Sequence, residues 1–120
     1  MFCFRRIIAL VCCATIVGCA TVPTVEQAAL LDVATTAVGL AHGAAELNPL
    51  GPVAASLVKL VYIGGLVERT ADSDRFITAL WTGAAANNTV FILTAIPVAA
   101  IIAGFTVGYY VYTHRSHPPF

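Results

Sequence analysis

The groups able to do chemistry in this chain lie in one stretch, residues 32–49, and at one lysine further along. Against a background of small and aliphatic residues, this stretch supplies carboxylate, hydroxyl, imidazole and amide groups. The candidate polar site consists of Asp32, Thr35, Thr36, His42, Glu46, Asn48 and Lys59. Ionisable groups inside apolar helices commonly serve ion pathways, proton relays or ligand sites. These residues are therefore the first candidates for a functional site.

The composition indicates that lipid is the solvent for most of the chain. Of 120 residues, 59% are hydrophobic and 10% are charged, and the mean hydropathy is +0.89. A soluble domain of this size needs more charge on its surface. The formal net charge is zero, and no basic patch is present to neutralise phosphates, which argues against nucleic acid as a partner. We expect one domain at most.

A polar stripe follows the first candidate helix after the N-terminal segment. Its members recur at intervals of four, three, four and three residues, which places them on one helix face. They are Asp32, Thr36, Gly39, Gly43 and Glu46. The two glycines allow another backbone to approach closely. The spacing of Gly104 and Gly108 predicts a second packing face near the C-terminus. The stripe is therefore expected to face protein and not lipid.

Lys59 is the only lysine of the chain and lies within an apolar segment. In an antiparallel helix pair it comes level with Gly39. Asp32 and Glu46 then each lie about seven residues away along the axis, roughly 10 Å at 1.5 Å per residue, and His42 lies nearer. We predict that Lys59 pairs with Asp32 or Glu46. The alternative is that these polar groups only specify helix register.

The first twenty residues have the anatomy of a secretory signal. Arg5 and Arg6 precede an apolar core over 7–17, and small residues follow. The core is shorter than the roughly 20 residues of a comfortable membrane span. All four cysteines lie within the first nineteen positions, so neither a disulfide framework nor a zinc site is expected.

The end of this segment, Ile16-Val17-Gly18-Cys19, resembles the lipobox of bacterial lipoproteins. The resemblance implies cleavage after Gly18, a diacylglycerol on the Cys19 thiol and an acyl chain on the new N-terminus. Membrane lipid would then be a covalent partner, and two or three acyl chains give stable anchoring. The alternative is an uncleaved first helix in which Cys19 is an ordinary small residue.

The predicted fold class is all-α, a small polytopic membrane bundle with three transmembrane helices after a cleaved signal, or four if the signal is uncleaved. The predicted parts are a signal peptide over 1–18, a tether over 19–26, a helical domain over 27–112 and a tail over 113–120. The predicted spans are 27–45, 50–67 and 89–112, with an interfacial helix over 75–86 and a kink at Pro97. We expect residence in the bacterial cytoplasmic membrane, with the mature N-terminus outside and the C-terminus inside.

The order Asp32-x-x-Thr35-Thr36, Gly43-x-x-Glu46-x-Asn48-Pro49 and Lys59 resembles an uncharacterised family of short three-span prokaryotic membrane proteins. That family is known only as a domain of unknown function. The similarity covers roughly residues 30–112. It implies the same helical fold and membrane location, and it carries no activity.

Two functions follow from these features. The first is a non-catalytic accessory or interaction subunit, with a homo-oligomer or another membrane protein as its partner. The second is an ion, proton or small-solute transport element built on Asp32, His42, Glu46 and Lys59. An enzyme is not expected, because neither Gly-x-Ser-x-Gly nor His-Glu-x-x-His is present. No cofactor or metal is expected.

Overall fold

The computed structural model describes residues 22–43 and 51–115. These ranges form the helices α1 (Val25–Ala41), α2 (Gly51–Ile63), α3 (Ala71–Thr94) and α4 (Pro97–His114). Because the described residues contain no strand, the all-α prediction is confirmed for this part of the chain. The predicted signal peptide, Cys19, Glu46 and Asn48 lie outside the described residues.

α1 begins where its sequence supplies a reciprocal cap. The Thr24 hydroxyl accepts a hydrogen bond from the Gln27 amide at 3.2 Å, and the Gln27 side chain accepts one from the Thr24 amide at 2.9 Å. Such a capping box satisfies two N–H groups that the helix itself leaves unpaired. α1 therefore begins two residues before the predicted position 27, and it ends at Ala41 rather than at residue 45.

α2 is the shortest helix, at 13 residues, or about 20 Å long at 1.5 Å per residue. It was predicted to extend to residue 67, but it ends at Ile63, before Gly64 and Gly65. Gly65 has φ of +72°, a left-handed conformation that glycine adopts without a steric penalty. Lys59 is the one buried residue of α2. Lys59 and the partly buried Tyr62 and Ile63, which pack against the core, hold α2 to the bundle.

α3 corrects two predictions about the second half of the chain. It runs without interruption through residues 75–86, predicted as a separate interfacial helix, and on to Thr94. The predicted single helix over 89–112 is wrong, because Ala95 adopts a left-handed conformation with φ of 56° and the helix ends there. Pro97 lies in the first turn of α4, where its missing N–H costs nothing. Pro97 thus begins a new helix and does not kink an old one.

α3 and α4 form an antiparallel hairpin whose backbones touch at three glycines. A Cβ added to Gly83 would lie 2.7 Å from the Gly104 carbonyl oxygen. One added to Gly108 would lie 3.1 Å from the Ala79 carbonyl oxygen, and one added to Gly104 would lie 3.0 Å from that of Gly83. Gly104 and Gly108, which the sequence marked as packing residues, therefore lie at this contact.

The other predicted glycine pair, Gly39 and Gly43, lies in two different environments. Gly39 is buried on α1. Gly43 lies in the exposed turn after α1 at φ of +82°, and an added Cβ there would meet nothing within 4 Å. Among the described residues, no contact supports the packing role predicted for Gly43. At this position glycine allows the positive φ of the turn without a steric penalty.

The four helices run alternately up and down, so the start of α1 and the end of α4 lie at the same end of the bundle. The guanidinium of Arg115 donates to the Pro23 carbonyl at 3.1 Å and also to the Thr78 hydroxyl. The predicted topology had placed the corresponding chain ends on opposite sides of a membrane. We call this end the charged end: it consists of Glu26, Glu68, Arg69, Asp72, Asp74, Arg75 and Arg115.

Within the described residues, α3 is the one helix long and apolar enough to cross a membrane. Its most apolar 18-residue stretch has a mean hydropathy of 1.3, and 44% of that stretch is buried inside the bundle. Length and composition of a single, partly buried helix are weak evidence for a span. The three predicted spans therefore do not follow from this measure.

Candidate functional site

A buried ion pair joins α1 to α2. The Lys59 ammonium nitrogen lies 2.9 Å from Asp32 Oδ2, and the two side chains are 10% and 9% exposed. Of the partners that the sequence left open for Lys59, the structure shows Asp32. Removing two charges from water is costly unless they meet in good geometry with further hydrogen bonds. The groups around the Asp32–Lys59 pair therefore decide whether its burial is compensated.

Asn88 of α3 provides those further hydrogen bonds. Its side-chain amide donates to the Thr36 hydroxyl at 3.1 Å, with longer contacts of 3.4 Å to Asp32 Oδ1 and to the Thr35 hydroxyl. Thr35 in turn donates to the Leu31 carbonyl at 2.9 Å. One amide thus links α3 to the polar stripe of α1. The two Asp32 oxygens face different donors, an ammonium and an amide.

Trp81 closes the site on the α3 side. The Lys59 ammonium lies 5.9 Å from the centre of its ring, within the range of a cation–π contact. Tyr62 packs edge-on against the same ring, with centroids 5.7 Å apart and an interplanar angle of 86°. Trp81 also belongs to the hydrophobic core with Val25, Ala28 and Ala29. The charge of Lys59 therefore lies between a carboxylate and an aromatic core.

The ion pair borders a pocket of about 250 Å³ between α1, α2 and α3. Its polar lining is Asp32, Thr36, Ser56, Lys59 and Asn88. Its apolar lining is Val33, Ala37, Leu40, Pro52, Ala55 and Ala84. A concave, mostly apolar space with a few convergent polar groups is the usual form of a small-molecule site. This arrangement can hold a polar ligand.

The structure brings together only part of the predicted polar site. Asp32, Thr36 and Lys59 line the pocket, and Thr35 is buried beside them. His42 does not join them: it is exposed at the end of α1, with Nδ1 2.8 Å from the Val38 carbonyl oxygen. The described residues therefore support Asp32 and Lys59 as members of the site, and they give no support for His42.

The polar site predicted from the sequence did not include Asn88, Ser56 and Trp81. The predicted interfacial helix ended at residue 86 and the predicted span began at residue 89, so Asn87 and Asn88 were assigned to neither. The available signal was that an amide within an apolar helix needs a partner, and Asp32 with its neighbouring threonines offers one. Gly83 was missed in a similar way, although Ala79, Gly83 and Asn87 repeat at intervals of four.

The charged end contains a second network, outside the pocket. Arg69 donates to both Asp74 oxygens, at 2.9 and 2.8 Å, and to Glu26 Oε1 at 3.1 Å. The Asp74 hydrogen bonds are the main reason that the pKa of Arg69 is raised. A hydrogen bond from the backbone at the start of α1, with help from Thr24 and Arg69, lowers the pKa of Glu26. Arg69 thus fastens the start of α1 to the start of α3.

Replacing Asp74 with asparagine is expected to lower the free energy of unfolding by about 1 kcal/mol more than replacing Asp72 does. Both acids lie in the first turn of α3, so both lose a similar favourable interaction with the helix dipole. Only Asp74 loses the bidentate contact with Arg69, a partly exposed pair whose value solvent reduces. The Tyr62 hydroxyl, which donates to Asp74 Oδ1 at 2.8 Å, can still donate to the side-chain oxygen of asparagine. Thermal unfolding of Asp74→Asn and of Asp72→Asn measures the difference. Equal losses would show that the contact contributes nothing.

Within residues 22–43 and 51–115, no group of three His, Cys, Asp or Glu side chains is placed to hold a metal ion. Comparisons with protein-family models, with curated proteins and with solved structures found no match for this chain. The resemblance carried by Asp32, Glu46 and Lys59 therefore stays a prediction.

Proposed function

We propose that this chain is a small, non-catalytic integral membrane protein that acts as an accessory or interaction subunit. The observation that carries the proposal is the outward surface of the α3–α4 hairpin. Ile101, Ile102 and Phe105 on α4 are 53%, 60% and 78% exposed, and Phe76 on α3 is 57% exposed. Ile101, Ile102 and Phe105 lie on adjacent turns of one helix, and exposed apolar side chains clustered in this way mark contact with lipid or protein.

The distribution of charge supports the same proposal. Apart from the Asp32–Lys59 pair, every charged residue that the structure describes lies at the charged end. The opposite half of α3, α4 and the turn between them carries no formal charge. A bundle with one charged end and an uncharged remainder matches the polarity of a bilayer, with the charged end in the headgroup region. Tyr109, Tyr110 and Tyr112 lie near that end, as expected of interfacial aromatic residues.

The lengths of both hairpin helices suit a crossing, and α3 is in addition apolar enough for one. α3 has 24 residues and α4 has 18, which correspond to about 36 and 27 Å. The hydrocarbon core is about 30 Å thick. We propose that the hairpin crosses the bilayer twice, with the Ala95 turn opposite the charged end. Because two crossings are an even number, Pro23 and Arg115 then lie on the same side of the membrane. We therefore propose that the C-terminus lies outside, in place of the predicted inside position.

The lipid anchor is proposed together with this topology. Cys19 precedes Pro23 by only four positions, so an acylated Cys19 would hold the charged end at the outer face of the cytoplasmic membrane. The first test is the intact mass of the membrane-extracted protein. A chain beginning at Cys19 with added acyl mass is expected. Detection of a full-length unmodified chain would rule out the lipid anchor. The proposed hairpin crossing would then be tested by itself.

Thiol labelling of sealed vesicles tests the crossing. The mature lipoprotein would contain no reactive thiol, because Cys3, Cys12 and Cys13 are removed and Cys19 is capped. Asp72→Cys at the charged end and Ile96→Cys at the turn are expected to react from opposite sides with a membrane-impermeant maleimide. Reaction of both from the same side would show that the hairpin does not cross. The interaction role predicts a stable homo-oligomer or complex in mild detergent, and a bare monomer would argue against it.

A transport element is a second candidate, because the Asp32–Lys59 pair lines a pocket and does not simply fill a helix contact. His42 and Glu46 gain no support from the described residues. In liposomes, Asp32→Asn is expected to abolish solute or proton flux, whereas Glu26→Gln at the charged end leaves it unchanged. Unchanged flux in Asp32→Asn, with folding intact, would remove this candidate.

A further inference from the structure

We infer that the pocket beside Asp32 and Lys59 is a binding site for a small zwitterionic solute, an α-amino acid with an aliphatic side chain. The inference deepens the transport candidate by naming its ligand class, but it requires only binding and no flux. It rests on the charge of the pocket, on its size and on the polar groups around its rim.

The charge of the lining selects for a ligand without net charge. Asp32 contributes one negative charge and Lys59 one positive charge, and the other lining residues are neutral. A ligand that carries only a carboxylate or only an ammonium would bring an uncompensated charge against a largely apolar lining. A zwitterion aligned antiparallel to the ion pair places each of its charges against the opposite one. The four charges then alternate, and none is left uncompensated.

The hydrogen-bonding groups fit the two ends of such a ligand. An ammonium has three N–H donors, and the Asp32 contact occupies one of those on Lys59. A ligand carboxylate near Lys59 therefore finds a charged donor, while the Ser56 hydroxyl on the same helix already donates to the Pro52 carbonyl at 2.8 Å. A ligand ammonium near Asp32 finds a carboxylate, the Thr36 hydroxyl and the Asn88 carbonyl. These groups also border the pocket, so the ligand reaches them without unpacking the bundle.

The size and the remaining walls define the ligand side chain. The volume of about 250 Å³ equals roughly eight waters at ~30 Å³ each, so the ligand has on the order of eight to ten non-hydrogen atoms. Away from the ion pair the walls are apolar, with Leu40, Pro52 and Ala55 among them. Water forms few hydrogen bonds with these walls, whereas an aliphatic side chain of the ligand would bury apolar surface against them. L-leucine matches both requirements.

The chain carries its own reporter for this binding. Trp81 is its only tryptophan, and Lys59 Nζ lies 5.9 Å from the ring. A ligand that draws on the Lys59 charge changes the field at the indole and hence its emission. The full-length protein in detergent is titrated with L-leucine, with its methyl ester and with N-acetyl-L-leucine. Equilibrium dialysis with labelled L-leucine measures binding independently of the fluorescence.

A saturable change with L-leucine is expected, and the ester and the N-acetyl compound should bind at least about tenfold more weakly, where tenfold corresponds to 1.4 kcal/mol. Ala37→Leu narrows the pocket without touching the ion pair and is expected to weaken binding by a similar factor. Ala34→Leu, one turn away on the exposed surface of α1 and outside the pocket lining, is the matched control and should bind normally.

Each of the next three outcomes overturns a stated part of the inference. No saturable binding by dialysis removes the site. Equal binding of the methyl ester removes the zwitterion as the ligand class. Binding that survives in Ala37→Leu places the ligand elsewhere on the protein. Binding of L-leucine without flux in liposomes would remove the transport candidate and leave the binding site standing, so the two failures are distinguishable.

Discussion

Replacement of Lys59 by methionine is expected to lower the free energy of unfolding by about 3–5 kcal/mol, the usual cost of removing one partner from a buried pair. The Asp32 carboxylate would stay buried with the Asn88 amide as a donor but without its cation. Methionine occupies a volume similar to that of the lysine stem, so a cavity contributes little to the loss. Unfolding by SDS titration from mixed micelles measures the effect.

The double variant Asp32→Asn/Lys59→Met separates the ion pair from packing. Asparagine keeps the shape of the side chain and an acceptor for Asn88, while no charge is left buried. Because replacing a buried pair by neutral groups is often close to neutral in stability, we expect the double variant to recover most of the loss. A double variant as unstable as Lys59→Met alone would show that packing or register, and not charge, explains the effect.

Replacement of Gly83 by alanine is expected to lower the free energy of unfolding by about 1–3 kcal/mol, the usual range for an added group in a close-packed contact. An added Cβ would lie 2.7 Å from the Gly104 carbonyl oxygen and 3.3 Å from the Gly108 Cα. Both are backbone atoms, so relief requires α3 and α4 to separate. The greater helix propensity of alanine, worth up to about 1 kcal/mol, acts in the opposite direction and is included in this net value.

The same contact predicts an order among the glycines. Gly104→Ala and Gly108→Ala meet their nearest backbone oxygens at 3.0 and 3.1 Å, so each should cost less than Gly83→Ala. The measurement is again unfolding in mixed micelles, with Ala34→Leu on the exposed surface of α1 as a control for added volume. A stabilising effect of Gly83→Ala would show that the hairpin is not packed backbone to backbone.

Several features could be derived from the sequence because they depend on neighbouring residues or on helix period. The spacing of Asp32 and Thr36 puts them on one helix face, and both line the pocket. Lys59 as a lone lysine in an apolar segment required a carboxylate nearby, and Asp32 was one of the two proposed. The close approach of Gly104 and Gly108 to another backbone also followed from their spacing alone.

Other features depend on contacts between residues far apart in the chain, which no local pattern reveals. Asn87 and Asn88 look like a helix boundary by composition, yet Asn88 lies inside α3 because the polar face of α1 supplies its partners. Conversely, the apolar run over 89–112 looks like one helix, but hairpin packing at Gly83 favours a reversal at Ala95.

By itself, the sequence determined the apolar, all-helical character of the described chain and the polar residues from which a site can be built. Helix period and composition act locally, and both can be read from residue order. Only the tertiary structure decided that Lys59 meets Asp32, that Asn88 joins them around a pocket, and that Pro23 and Arg115 meet at one end. Those outcomes depend on how whole helices pack, since a hydrogen bond such as Asn88 to Thr36 joins residues 52 positions apart.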